Sequence, residues 1–369
     1  MILLLYIIFI LVCAFFWLKT KKFSVKKEQK IPLSVVVCCK NEQEKLPLLL
    51  LSIEAQISEN EQFIFVNDNS TDNTFSILND FKIACKARNY NNVQIVQNPL
   101  FGKKNALKIA VKSANSDYVV CIDADCILPK NYFSIVSSFL SENQPDLMIG
   151  GVTFLAGTKN FSPLRYTNNV FQKIQALEFA SLQASGAGAT LAGMPIMCNG
   201  ANLAFHREIW QKAENQLVER ELSGDDVFLL HYVKKIGGKI LYLKSEESFV
   251  TTFSVGNFGE FLRQRQRWAS KARSYTDWQT IFTAFIVFFL NFEIIFAFFA
   301  SFFIPFFKTV FFIIFISKLL IDSILLIPFL NFSKQKRLAK FIPILSLLYP
   351  FYIVFTAILG LFGKVKWKN

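Results

Sequence analysis

Histidine is nearly absent from this chain: 369 residues hold only two, His206 and His231. A zinc centre built on imidazole or a Ser-His-Asp hydrolase therefore has little to stand on. The seven cysteines, Cys13, Cys38, Cys39, Cys85, Cys121, Cys126 and Cys198, show no paired metal-ligand spacing. Cys38, Cys39 and Cys121 fall inside apolar, strand-like runs, as buried reduced thiols do, which points to a reducing compartment. Acids are also in short supply, 27 against 40 Lys and Arg, for a formal charge of +13. Such a charge suits nucleic acid in principle, but the basic residues gather beside apolar segments and are not interleaved with aromatics. That placement fits an anionic membrane surface and speaks against nucleic acid. Gly102-Lys103-Lys104 is not a P-loop, because the second glycine at the required spacing is missing.

What the chain has in excess is apolar residues, 53% of the total, with 42 Phe. They concentrate at the two ends. Ile2 to Leu18 is almost wholly apolar and is followed by Lys19, Lys21, Lys22, Lys26, Lys27 and Lys30. A cleaved signal peptide carries its charge before the apolar run, so this reads as an uncleaved anchor with the following segment in the cytoplasm. Residues 281–332 can cross a membrane twice, with a break at Pro305 to Lys308, and 341–362 form a last span. The basic loop Lys334, Lys336, Arg337 and Lys340 belongs on the cytoplasmic side, which leaves the tail Lys364 to Asn369 outside, against the charge bias. One C-terminal segment could thus be re-entrant or interfacial. Glu293 and Asp322, acids within apolar stretches, face a polar cavity or lie near an interface.

The middle reads as an α/β domain. Leu33 to Cys39 is a short β-branched run of the kind found in fully buried parallel strands. A helix follows around Glu44 to Gln56, then strands at Phe63 to Val66, near Val93 to Val96 and at Tyr118 to Ile122, with helices between them. This alternation predicts a doubly wound sheet, in which ligands sit beyond the carboxyl ends of the strands. Asp68 and the Asp123-Ala124-Asp125 triplet both fall at such ends.

Each motif has a plain reading and a chemical one. Phe65 to Thr74 is an acidic turn after a strand, which can present Asp68 to a ligand or simply cap the next helix. Gly102-Lys103 opens a helix and suits a pyrophosphate, or is a solvated basic face. Cys121 to Cys126 ends a buried strand with Asp123 and Asp125. Two such carboxylates repel one another unless a cation lies near, and hard oxygen ligands favour Mg²⁺ or Mn²⁺. The alternative is a polar strand-end turn. Ser223-Gly224-Asp225-Asp226 precedes a helical run, where an acid can take a proton from a hydroxyl or merely favour the helix dipole. Arg263 to Trp268 is amphipathic, either an interfacial belt or a diphosphate clamp. Ala180 to Gly193, mostly small residues, could admit a lipid or sugar chain close to the backbone or form a flexible loop.

Taken in order, these motifs resemble those of the family 2 inverting glycosyltransferases. Val66 to Asp72 resembles V-D-D-x-S-x-D, with Asn67 in place of the first acid. Gly102-Lys103 with Ala106-Leu107 resembles G-K-x-x-A-L, and Asp123-Ala124-Asp125 resembles the metal-binding D-x-D. Asn199 to Asn202 resembles an acceptor-side G-x-N segment, Gly224-Asp225-Asp226 stands where T-E-D is expected, and Gln264, Arg267 and Trp268 match Q-x-x-R-W. The resemblance implies a GT-A, Rossmann-like α/β domain plus transmembrane helices. Its boundaries are a transmembrane anchor at 1–18, a basic linker at 19–32, a catalytic domain at 33–257, an interfacial segment at 258–279, about three transmembrane helices at 280–363 and a tail at 364–369.

The resemblance further implies a nucleotide-sugar donor, UDP-linked, with its base near Asp68 and Lys103. Asp125, helped by Asp123, would hold a divalent metal, and Asp226 would be the general base, with Asp225 the alternative. Asn202, Gln264, Arg267 and Trp268 would contact substrates. The acceptor would be a membrane lipid or lipid-linked glycan. The expected location is a bacterial inner (plasma) membrane, with the catalytic domain in the cytoplasm. A processive polysaccharide synthase and a catalytically silent, nucleotide-sugar-binding scaffold are the rival readings.

Overall fold

The computed structural model describes residues 1–25, 30–155, 169–214 and 225–363. Lys26 and Lys27 of the linker, Ser223 and Gly224 of the Gly-Asp-Asp motif, and the tail from Lys364 lie outside the described residues. The chain divides into two compact units. One comprises Lys21–Thr153 and Cys198–Phe253, and the other Met1–Thr20, Phe154–Met197 and the chain from Ser254 onward.

The first unit is built on a seven-stranded sheet. Its elements are β1 (Leu33–Cys39), α2 (Leu46–Glu54), β2 (Glu61–Asn67), α3 (Thr74–Ala87), β3 (Val93–Gln97), α4 (Lys103–Ser113), β4 (Tyr118–Asp123), α5 (Tyr132–Asn143), β5 (Leu147–Gly150), β7 (Leu203–His206), α7 (Arg207–Ala213), α8 (Asp225–Lys235) and β8 (Ile240–Leu243). The strand order is β3-β2-β1-β4-β7-β5-β8. The first four strands are mutually parallel, and β7 runs antiparallel to both β4 and β5. The β-branched run of β1 is buried on both faces, Val35, Val36 and Val37 being at most 1% exposed. Each such side chain contributes about 1.5–3 kcal/mol through burial. A further two-stranded sheet pairs β6 (Val152–Phe154) with β9 (Val250–Thr252). The helix order on either side of β1 brings the carboxyl ends of β1, β2 and β4 to one edge, at the point where the strand order reverses.

Among the described residues, the second unit holds four helical segments long and apolar enough to cross a membrane: α1 (Ile2–Lys19), α10 (Trp278–Ala300), α11 (Pro305–Phe332) and Lys336–Phe362, most of which is α12 (Ile342–Phe362). Their outer faces expose large apolar side chains such as Phe285, Phe296, Phe312 and Phe355, a surface suited to lipid. The same unit contains α6 (Val170–Leu191) and α9 (Phe258–Ser270).

One expectation is corrected here. The small-residue stretch from Ala180 is no loop: most of it is the second half of α6, a 22-residue helix opened by a reciprocal capping box between Asn169 and Gln172. Its glycines serve close packing. A Cβ on Gly188 would meet Cβ and backbone atoms of Cys13 on α1 at 2.6–2.9 Å, and one on Gly186 would meet Met197. Small residues let such helices approach closely where lipid provides no hydrophobic drive. Gly188→Leu is therefore expected to cost about 1–3 kcal/mol or more by overpacking, measured as a lower melting temperature of the detergent-solubilised protein. Asp322 of α11 is held by two side chains. Its carboxylate accepts from Tyr6 Oη of α1 at 2.6 Å and pairs with Lys318 Nζ at 2.5 Å, which ties α1 to α11.

Candidate active site

The site is assembled from loops at the carboxyl ends of β1, β2 and β4. The backbone N–H of Asp68 donates to the carbonyl of Cys39 at 2.8 Å, and Asn98 N–H to Asn67 O at 3.0 Å, so the ends of β1, β2 and β3 are laced together. Asn41 and Asn69 take left-handed conformations, with φ of 53° and 54°, as short polar side chains tolerate in tight turns.

Asp68, expected beside the donor's base, is tied into the loop that opens α4. Only 4% exposed, its carboxylate accepts from Gly102 N–H at 2.9 Å and from Asn98 Nδ2 at 2.7 Å. It thereby pins the loop that delivers Lys103. Gly102 sits there at φ 101°, a conformation open to glycine and strained for other residues. From that position Lys103, the first residue of α4, forms an ion pair with Asp123.

Asp123 and Asp125 come from the end of β4 and the turn after it. Burial of the Asp125 carboxyl, reinforced by the charge of Asp123, raises its pKa above the ordinary carboxylate value, with Lys45 and Lys103 pulling the other way. Lys45 Nζ lies 3.7 Å from Asp125 Oδ2. Burial alone would pull the Lys103 ammonium down, but Asp123 foremost, and more weakly Asp226, hold it above the ordinary lysine value. Lys103 is thus a permanent cation within electrostatic reach of both Asp123 and Asp226.

Asp225 and Asp226 open α8. Asp225 is buried and Asp226 half-buried. Asp226 Oδ2 accepts from Gly200 N–H at 3.1 Å and Oδ1 from Val227 N–H at 2.9 Å. On the floor of the same edge, Cys38 feels the charges of Lys103, Asp123, Asp68 and Asp225, and burial pushes its thiol up to about 12. A thiol so raised favours its protonated form at neutral pH.

Asn202, expected to contact substrate, is held inside the protein. It has no exposed surface. Its Oδ1 accepts from Tyr132 Oη at 2.8 Å, and its Nδ2 donates to the carbonyls of Gly151 and Ser248 at 2.8 and 2.9 Å. Gly150 lies so close that a Cβ there would collide with the amide. This buried amide is committed to holding backbone in place. Asn202→Ala is expected to leave Tyr132 Oη and the Ser248 carbonyl without these partners, at about 1–3 kcal/mol each, while the Gly151 carbonyl keeps its bond from Val250 N–H; the loss is seen as a fall in thermal stability.

Gln264, Arg267 and Trp268 lie on α9, in the helical unit. Trp268 is half-buried, its ring 6.0 Å from that of Phe179. Sequence reading missed two cations, Lys45 and Arg265. Lysine in a turn carries no signal of its own, and Arg265 occupies an unspecified position of Q-x-x-R-W.

The donor set of Asp123 and Asp125 fits a hard divalent cation: two carboxylates, one with its charged form disfavoured by burial and by its neighbour, and two ammonium groups already standing where positive charge is wanted. Among the described residues no cluster of three metal-ligating side chains occurs, so an ion here would need oxygens from a ligand as well.

A mixed sheet with acids at its parallel strand ends, joined to long apolar helices, is the GT-A architecture of a membrane glycosyltransferase. A mannosyltransferase from Pyrobaculum calidifontis, solved with GDP-Man and Mn²⁺, superposes with a TM-score of 0.54 over 98% of this chain and 95% of that one, at 17% identity. The chain belongs to the family 2 glycosyltransferases: the profile of Glycosyl transferase family group 2 matches residues 118–359, and that of Glycosyl transferase family 2 matches residues 34–197. Curated relatives include poly-β-1,6-N-acetyl-D-glucosamine synthases from Staphylococcus epidermidis, 33% identical over 175 residues, and from Staphylococcus aureus, 30% identical over 163 residues. These matches cover 46% and 44% of this chain and only 39% and 36% of the relatives.

Proposed function

We propose that the chain is an inverting glycosyltransferase that moves a sugar from a UDP-linked donor to a membrane lipid or lipid-linked glycan. The observation that carries this reading is the convergence of Lys103, Asp123, Asp125 and Asp226 on one sheet edge. The names of the relatives make N-acetylglucosamine the first sugar to try. In this reading Asp123 and Asp125 hold the metal together with the donor diphosphate. Mg²⁺ or Mn²⁺ bound there would neutralise charge on the leaving diphosphate.

The chain's own residues do the rest. Lys103 offers its ammonium to the donor phosphates. Asp226, held by Gly200 N–H, takes the proton of the acceptor hydroxyl. The acceptor oxygen forms a bond to the anomeric carbon as the bond from that carbon to the phosphate oxygen breaks, and nucleoside diphosphate leaves. Asp226 is preferred over Asp225 as base because it is the more accessible of the two. Gln264, Arg267 and Trp268 are assigned to the acceptor and the departing diphosphate. We place the sheet unit in the cytoplasm, where nucleotide sugars are made, on the strength of the basic residues flanking the spans.

A processive synthase making a polymer of N-acetylglucosamine is the second reading, favoured by the staphylococcal relatives. The test is to offer the purified protein a panel of nucleotide sugars with Mn²⁺ or Mg²⁺, with and without lipid, and to follow diphosphate release. Release that requires lipid and yields a short product supports the first reading. A long ladder on gels supports the second. No release with any sugar supports a silent scaffold.

A further inference from the structure

Within the helical unit, Arg265 is 2% exposed. Its Nη2 lies 2.5 Å from Oε2 of Glu178, on α6, whose side chain is equally buried. Glu178 Oε1 in turn accepts from Tyr352 Oη, on α12, at 3.1 Å. The guanidinium is also centred 4.1 Å from the Trp268 ring and 4.7 Å from that of Phe261, and its Nη1 donates to Gln264 Oε1 at 2.5 Å. One buried cation thus touches two of the three Q-x-x-R-W side chains while anchored by helices outside that motif.

Stability does not account for such an arrangement. A buried ion pair is seldom better than apolar packing of the same volume, and Arg265 Nε is buried with no partner among the described residues. A planar guanidinium does, however, do what an apolar side chain cannot: it stacks on an indole and directs hydrogen bonds in a fixed plane.

We propose that Arg265, held by Glu178 and Tyr352, is a positioning residue that fixes the Gln264 amide and the Trp268 indole for the acceptor. The proposal rests on the assignment of Gln264 and Trp268 to substrate made above. It also gives the membrane helix α12 a direct say in acceptor binding, since Tyr352 orients the carboxylate that orients Arg265.

The test compares Arg265→Lys and Glu178→Gln with wild type and Trp268→Ala, as full-length protein in detergent. UDP-N-acetylglucosamine serves as donor probe; a β-1,6-linked N-acetylglucosamine tetrasaccharide and diacylglycerol in mixed micelles serve as acceptor probes. Arg265→Lys keeps the charge but not the plane. It is expected to raise the acceptor KM by about tenfold or more, since small misplacements of binding groups are costly, and to change the donor KM less than about twofold. The double variant Arg265→Lys/Glu178→Gln is expected to be no worse than the poorer single variant, as for groups acting as a unit. An acceptor KM near wild type, or donor and acceptor KM rising together, overturns the proposal. Trp268→Ala separates the two levels: if it impairs the acceptor and Arg265→Lys does not, only the positioning role fails; if it too behaves as wild type, the acceptor assignment itself fails. A second measurement needs no turnover. Acrylamide quenching of Trp268, taken as the difference from Trp268→Phe, is expected to rise in Arg265→Lys, and unchanged quenching counts against the proposal.

Discussion

Asp226→Asn is expected to bind a nucleotide sugar as wild type does and to lose transfer by a factor on the order of 10² to 10⁴. The amide keeps the shape of the side chain and can accept from Gly200 N–H or from Val227 N–H but not from both, so a modest loss of stability at the start of α8 is expected beside the loss of transfer. What it loses is the ability to take a proton from the acceptor hydroxyl as that oxygen attacks. The decrease should therefore fall on kcat, with the donor KM nearly unchanged. Titration with UDP-N-acetylglucosamine beside steady-state turnover separates the two quantities. If Asp226→Asn turns over normally, Asp226 is not the base. Asp225 is poorly placed to take over, being buried at the start of α8.

Asp125→Asn is expected to fail earlier, at the metal-bound donor. Removing one of two carboxylates from the proposed metal site leaves Asp123, already paired with Lys103, as the sole acid there. Mn²⁺-dependent binding of the donor should weaken, and turnover should fall by about 10² or more, because stabilisation of the developing diphosphate charge is lost. Raising the Mn²⁺ concentration should recover part of the loss in Asp125→Asn and none of it in Asp226→Asn. That contrast assigns the two acids to different tasks. Equal metal dependence in both variants would undo the division of labour.

The strand ends were legible in the sequence because the physics there is local. A β-branched run such as Leu33 to Cys39 has few homes other than a buried strand, and acids directly after such runs fall at the ligand edge of a parallel sheet. The family profiles agree with the family read from these motifs. What stayed hidden depends on partners distant in sequence. Two glycines, Gly186 and Gly188, lower helix propensity in α6, and the contacts that call for them, with Met197 and with Cys13 of α1, lie outside the helix. Asn202 and Asp68 look like ligand-facing polar groups in a string of letters. In the fold they accept from Tyr132 and Gly102, residues 70 and 34 positions away. The antiparallel β7 was likewise invisible, since periodicity does not encode strand direction.

The whole account requires a single displacement at the anomeric carbon, with the acceptor oxygen activated on the side opposite the departing diphosphate. The most direct measurement is the anomeric configuration of the first product formed from α-linked UDP-N-acetylglucosamine, read by proton NMR before any further reaction. A β-linked product is the predicted result. An α-linked product would contradict direct displacement and remove Asp226 from the role of base.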